Sequence, residues 1–287
     1  MPHDHSHGHD EFDWSASAAH LAAWDRVWAG AYRDVAEWLG IGAGAHVADV
    51  GSGAGGFAAA LAEQVGAEGQ VTLIDGDERL LDVARANLPP GIDVRCVHAD
   101  LEGASLGALI TERFDIVHAG NVIHHTDDQQ HTVDDLARLL RPGGRLVLAE
   151  GGLTPRFLPR EYGLGEPDLE ARLDAATARW FWNHVRPGEA TVAMPHGWGV
   201  ALGAAGLVDV RSRSFLVDVP PPLGTDERCL VADALADAAG RAGEWLTDDD
   251  RAAVAALVDP TRPDGVHQRP DVFILAARTF HVGKLPS

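Results

Sequence analysis

Lysine is almost absent: Lys284 is the only one, and arginine carries nearly all of the 23 basic charges against 43 acidic ones. The formal net charge is −20. A surface that negative repels phosphate backbones and anionic lipid headgroups, so neither nucleic acid nor a membrane is expected as a partner. Cysteine is equally scarce. Cys96 and Cys229 are too few for a disulfide framework and read as buried free thiols of a reducing compartment. No apolar run approaches the roughly 20 residues of a membrane-spanning helix, and the N-terminus lacks a basic start followed by an apolar core. A cytoplasmic location is the expectation. There is no internal repeat and no convincing linker.

The first residues are rich in one thing. His3, His5, His7 and His9 alternate with small or acidic residues, a composition with loose metal affinity but no fixed coordination frame. A tail is expected there, and no metal site is assigned. With the helix predicted from Ser17 to Leu39 this tail makes up residues 1–40, the helix serving as a lid. Beyond it, short apolar strands alternate with helices. The strands are 46–51, 70–75, 92–100, 114–120 and 144–150; the helices are 55–66, 78–87 and 129–141, with Asp77 capping the second and Pro142 stopping the third. That rhythm predicts a parallel sheet covered on both faces. Later come helices near 166–185, 196–206, 226–241 and 247–258, and strands at 207–219 and 271–280. The last two strands suggest an antiparallel hairpin added to the sheet. Residues 41–287 are read as one domain, with helical insertions at about 160–200 and 224–262.

The run Val47-Ala-Asp-Val-Gly-Ser-Gly-Ala-Gly-Gly56 is a strand entering a glycine turn. Its Gly51, Gly53 and Gly56 satisfy the dinucleotide fingerprint, which rests a pyrophosphate on a helix N-terminus. Such a turn serves the methionine part of S-adenosylmethionine equally well. Asp75, ending the second strand, suits a ribose in either ligand. Asp49 before the glycines also reads as a cap of the turn, and Asp100 as a turn residue.

Taken in order, these segments resemble the class I S-adenosylmethionine-dependent methyltransferases, most generally the ubiquinone/menaquinone-type enzymes, over about residues 46–150. The run from Val47 to Gly56 is similar to that family's first motif, Leu73-Ile-Asp-Gly-Asp77 to its second, and Leu139-Leu-Arg-Pro-Gly-Gly-Arg-Leu-Val-Leu-Ala-Glu150 to its fifth-strand signature. The resemblance implies a Rossmann-like α/β fold with a seven-stranded sheet. It implies S-adenosyl-L-methionine as cofactor, held by Asp49, Gly51, Ser52, Gly53, Asp75, Gly76, Asp100, Leu101, Gly120 and Asn121, with Asp100 at the adenine amino group.

Methyl transfer to a small-molecule acceptor by in-line displacement is the function implied, with alignment as its main demand. A base is needed only for an acceptor that must lose a proton. His124 and His125, after the fourth strand, are the candidate bases, with packing as their other reading. The loop carries no Asn/Asp-Pro-Pro-Tyr-like residues of adenine-methylating relatives. Trp180, Trp182, His184, His196 and Trp198 are the candidate acceptor contacts, as aromatic or histidine side chains in the insertions. Trp24, Trp28 and Tyr32 are placed over the methionine end of the cofactor. Two other readings stay open: an NAD(P)-dependent oxidoreductase, for which Lys284 is badly placed as a proton relay, and a non-catalytic S-adenosylmethionine-binding protein. A homodimer is also left open.

Overall fold

A computed structural model describes residues 18–101, 106–186 and 191–287. The His3–His9 tract lies outside the described residues. The chain divides into two compact units, one comprising 1–152, 190–215 and 278–287, the other 153–189 and 216–277.

The first unit holds α1 (Ala18–Leu39), β1 (His46–Val50), α2 (Gly56–Val65), β2 (Gln70–Asp75), α3 (Glu78–Asn87), β3 (Asp93–His98), the short α4 (Leu106–Leu109), β4 (Phe114–Gly120), α5 (Gln129–Ala137) and α7 (Trp198–Ala204). α6 (Leu169–His184), α8 (Thr225–Ala242) and α9 (Asp248–Val258) belong to the second. The chain passes between units within β5 (Leu140–Arg156), β6 (Val208–Val219) and β7 (Ile274–Lys284).

The sheet order is β3-β2-β1-β4-β5-β7-β6. β1 pairs in parallel with β2 and β4, β2 with β3, and β4 with β5. The interior strands are apolar on both faces, because helices cover both: every residue of β1 after His46 is buried. At the far edge, Ser212 Oγ meets His281 Nδ1 at 2.7 Å and Ser214 Oγ meets Thr279 Oγ1 at 2.9 Å. Numbers rise along β6 as they fall along β7, the pairing of an antiparallel hairpin. The fully buried Phe114, Ile110, Leu136, Leu139 and Leu146 anchor the core under α5 and α7. The second unit is held by buried Leu173, Leu230, Leu235 and Leu257 and by an Arg172–Asp250 ion pair at 2.8 Å.

Three expectations need correction. α5 ends at Ala137, not at Arg141, and Pro142 stops no helix; it lies inside β5, which starts at Leu140 and runs to Arg156. Phe114 N donates to Leu139 O at 2.9 Å and Leu140 pairs with Phe114 across a bulge. Strand pairing therefore claims residues whose apolar spacing also fits a helix. Cys229 is exposed and Cys96 half-buried; on α8 the buried side belongs to Leu230, Val231 and Leu235, which leaves Cys229 outward.

Candidate functional site

The chain runs from β1 outward through β2 to β3, then returns to β4 on the other side of β1. The C-terminal ends of β1 and β4 thus flank a switch point, where open α/β sheets leave a crevice. The glycine turn follows β1. Gly51 N and Ser52 N both donate to Ile74 O, at 2.8 and 3.2 Å. Gly53 N donates to Asp75 Oδ2 at 2.9 Å, and Asp77 N to Asp75 Oδ1 at 3.0 Å. Asp75 therefore ties the turn to the end of β2. Burial pushes its carboxyl above the usual range, while those two amides pull it back. Asp77 caps α3 as expected, accepting from Arg79 N at 2.8 Å.

Gly51 has φ +67°, and a Cβ there would lie 2.1 Å from Val122 Cγ1. Only glycine lets the turn and the loop after β4 interlock. Asn121 in that loop is also left-handed, with φ +53°, a conformation asparagine tolerates better than most residues. Ile123–His125 then form a single 3-10 turn. Glu150, at 3% exposure, organises it. Its Oε1 accepts from Val122 N at 3.1 Å and from Ile123 N at 2.9 Å, and its Oε2 lies 2.8 Å from His124 Nδ1. An ionised carboxylate only accepts, so Nδ1 carries a proton and Nε2 is left as the basic nitrogen. The His125 ring lies 4.2 Å from that of His124. Sequence reasoning missed Glu150, although it closes the fifth-strand signature.

Asp49 does not cap the turn. It is buried, and its Oδ1 meets Nδ1 of buried His118 at 2.6 Å, its neighbour in register on β4. His118 drew no attention in the sequence, being one polar residue inside an apolar strand. Among the described residues His118 Nε2 and Ser52 Oγ are buried without a hydrogen-bond partner. Such groups, in the turn after β1 and inside β4, suit a ligand with polar functions of its own. On the neighbouring strands Ala99 N donates to Asp75 O at 3.0 Å, and His98 Nε2 meets Gly76 O at 2.9 Å. This brings Asp75 and Gly76 beside the segment of Asp100, which is exposed, and Leu101, which is half-buried against the core.

α1 packs along α2. Trp28 and Tyr32 are buried and stacked at 6.1 Å, and Arg278 of β7 lies over the Trp28 ring at 4.4 Å and bonds to the Tyr32 hydroxyl. Trp24 Nε1 donates to His20 Nε2 at 3.0 Å. The sequence reading also missed Asp25. Its Oδ2 accepts from Gly56 N, the first amide of α2, at 3.0 Å. That is where a dinucleotide would rest its pyrophosphate. A carboxylate of the protein stands there instead.

Of the candidate acceptor contacts, His196 and Trp198 belong to the first unit. His196 Nε2 is 3.5 Å from Gln130 Oε1, and Trp198 packs on the core. Trp180, Trp182 and His184 lie on α6 in the second unit. Trp180 stacks on His184 at 5.9 Å and carries Arg241 at 5.7 Å; Trp182 is 62% exposed. Among the described residues no three His, Cys, Asp or Glu side chains gather as a metal site, and no helix is long and apolar enough to cross a membrane.

Residues 48–148 match a family model described as a methyltransferase domain. Over 114 residues the chain is 32% identical to the ubiquinone/menaquinone biosynthesis C-methyltransferase UbiE of Idiomarina loihiensis, covering 39% of this chain and 44% of that one. Over 109 residues it is 37% identical to a ubiquinone biosynthesis O-methyltransferase of Coxiella burnetii, covering 37% and 43%. The chain thus spans less than half the length of these relatives. Two solved structures share the fold. One is a chain of the Haloferax volcanii complex containing the Trm112 methyltransferase activator, with TM-score 0.53, 19% identity and coverage of 96% and 98%. The other is a cyclopropane-fatty-acyl-phospholipid synthase-like protein of Lactobacillus casei, with TM-score 0.52, 18% identity and coverage of 90% and 91%.

Proposed function

We propose that this chain, whose residues 48–148 match a methyltransferase-domain family model, transfers a methyl group from S-adenosylmethionine to a small molecule. The observation that carries the reading is the interlock of Gly51 with Val122, which sets the Glu150–His124 pair beside the glycine turn at the switch point. When bound, S-adenosylmethionine supplies a methyl group already activated on a sulfonium.

The chain's own residues then have three tasks. Asp75 keeps lone pairs beyond those used on Gly53 and Asp77, and these accept the ribose hydroxyls. Asp100 and Leu101 border the adenine, and Gly51, Ser52, Gly53, Gly120 and Asn121 line the rest of the cofactor, with Asp49 beneath. His124 takes the acceptor's proton at Nε2, while Glu150 fixes the ring and offsets the charge that develops on it. His125 packs on that ring. His196 and Trp198 are proposed to contact the acceptor. Relatives named for quinone biosynthesis make aromatic hydroxyl compounds the first acceptors to assay. We take the enzyme as cytoplasmic, on its net charge of −20 and two cysteines.

Calorimetry tests the cofactor. S-adenosylmethionine and its demethylated product should bind with micromolar affinity, about −8 kcal/mol. Tight NAD binding with no response to S-adenosylmethionine would overturn the proposal. Binding without turnover across an acceptor panel would favour a non-catalytic role.

A further inference from the structure

We propose that Asp25 is the counter-ion of the cofactor's amino-acid end, receiving the methionine ammonium and barring phosphate-bearing nucleotides from the turn. The assignment rests on the methyltransferase reading above and adds a residue from outside the matched 48–148 segment.

Position comes first. Asp25 Oδ2 holds the amide that opens α2, at 3.0 Å. A Cβ on Gly56 would fall 2.2 Å from Asp25 Cγ, so glycine at 56 is what admits the carboxylate. One turn earlier on α1, Leu21 Cδ1 comes within 4.0 Å of where a Gly53 Cβ would stand. The face of α1 that carries Leu21 and Asp25 therefore lies along the glycine turn from Gly53 to Gly56.

The surroundings define the ligand. On α1 Asp25 is accompanied by Tyr32, on β7 by Arg278, and on β1 by Asp49, which is paired to His118 of β4. The Phe57 ring touches both sides of this group, 5.4 Å from Tyr32 and 4.2 Å from His118. Because Asp49 accepts a hydrogen bond from His118 Nδ1, the buried Nε2 of the neutral ring is a hydrogen-bond acceptor, and it has no donor among the described residues. A Cβ on Gly120 would lie 3.1 Å from it, so it faces the end of β4. Here stand two carboxylates, Asp25 half-buried and Asp49 buried, and an orphaned acceptor, with one guanidinium that is already engaged by Tyr32 and Trp28. This set lacks donors and positive charge. An ammonium brings three N–H donors and one positive charge; a pyrophosphate brings neither, and its negative charge is repelled. Burial holds the Asp25 carboxyl up at about 6 despite the opposing pull of Arg278 and the Gly56 amide. A cation beside it would favour the ionised form, so binding of an ammonium should release a proton at mildly acidic pH.

The test compares two ligands of the same nucleoside. S-adenosylhomocysteine carries the amino-acid end, and 5′-methylthioadenosine lacks it. Calorimetry on the full chain should show Asp25→Asn weakening S-adenosylhomocysteine by about 10- to 100-fold, with 5′-methylthioadenosine little changed. In the wild type, lowering the pH from about 7.5 to about 5.5 should weaken only S-adenosylhomocysteine, and in Asp25→Asn that pH effect should vanish. The wild-type pH comparison stands even if the variant fails to fold. Equal weakening of both ligands would make Asp25 a strut of α1 and overturn the assignment, as would no change in either. Wild-type binding of neither ligand would overturn the methyltransferase reading itself, and this assignment with it.

Discussion

Replacing Glu150 by glutamine separates the orientation of His124 from the shape of its loop. Both backbone amides, Val122 N and Ile123 N, donate to the same oxygen, Oε1, while His124 Nδ1 faces the other, Oε2. A glutamine of the same shape keeps its carbonyl toward the two amides. Its NH2 then falls opposite Nδ1 and, as a donor, forces the imidazole to accept there. The ring proton moves to Nε2, and the basic nitrogen is turned away from the acceptor. The loop loses one charge-assisted bond and some strength in two others, about 1–3 kcal/mol in all. For a chain of this size that is a fall of roughly 2–10 °C in melting temperature. Turnover on a hydroxyl acceptor should drop much further, by about 10²–10⁴-fold, while affinity for S-adenosylhomocysteine stays within about threefold. Glu150→Ala is the contrast: it strands both amides and the imidazole, and about 3–5 kcal/mol of stability goes with them. The assays are thermal melting, calorimetry and initial rates on one preparation. Near wild-type turnover in Glu150→Gln would refute the role given to His124. Turnover and cofactor affinity falling together would make the pair a structural clasp.

Three other outcomes are expected. Asp25 reaches about 6 in the folded chain against about 3.9 unfolded, so the folded state holds the extra proton and stability falls as pH rises through that window. The cost is complete above about pH 6 and amounts to about 3 kcal/mol; Asp25→Asn should melt higher than wild type at neutral pH and lose that advantage near about pH 4. Gly51→Ala should lose about 2–4 kcal/mol of stability from the left-handed backbone and the clash with Val122, and Val122→Ala in the same chain should return part of it, a coupling that a double-mutant melting cycle measures. Trp182 is 62% exposed, so Trp182→Ala should shift stability by less than about 0.5 kcal/mol, which thermal melting checks.

Local pattern reached far into this molecule. The first four strands, the glycine turn and the Asp77 cap were legible because apolar runs, glycines and a capping acid act over a few residues. The switch from α5 to β5 was misread because Leu139 and Leu140 satisfy helical spacing, and only pairing with Phe114, remote in sequence, decides for the strand. The site divides in the same way. Asp75, Gly51 and His124 stand in motifs. Glu150, His118 and Asp25 act through partners 26, 69 and 31 residues away, and nothing in their immediate neighbours announces those partners. Asp25 in particular reads as an ordinary polar position on an amphipathic helix until α1 is laid on α2.

The sheet order also fixes a schedule. β7 is the last strand of the sheet to be synthesised, yet it lies inside the sheet, between β5 and β6. Until it arrives, β5 presents an open edge and β6 has no strand to pair with. It also brings Arg278, which joins Tyr32 across 246 residues of sequence. A nascent chain can therefore assemble the glycine turn early, but not the charged surroundings of Asp25. Contacts of such long sequence separation form slowly, and an open strand edge is an invitation to pair wrongly. The protein should thus be most vulnerable to aggregation while β5 is made and β7 is not, and a substitution that weakens β7 should lower its yield in cells more than its equilibrium stability would suggest.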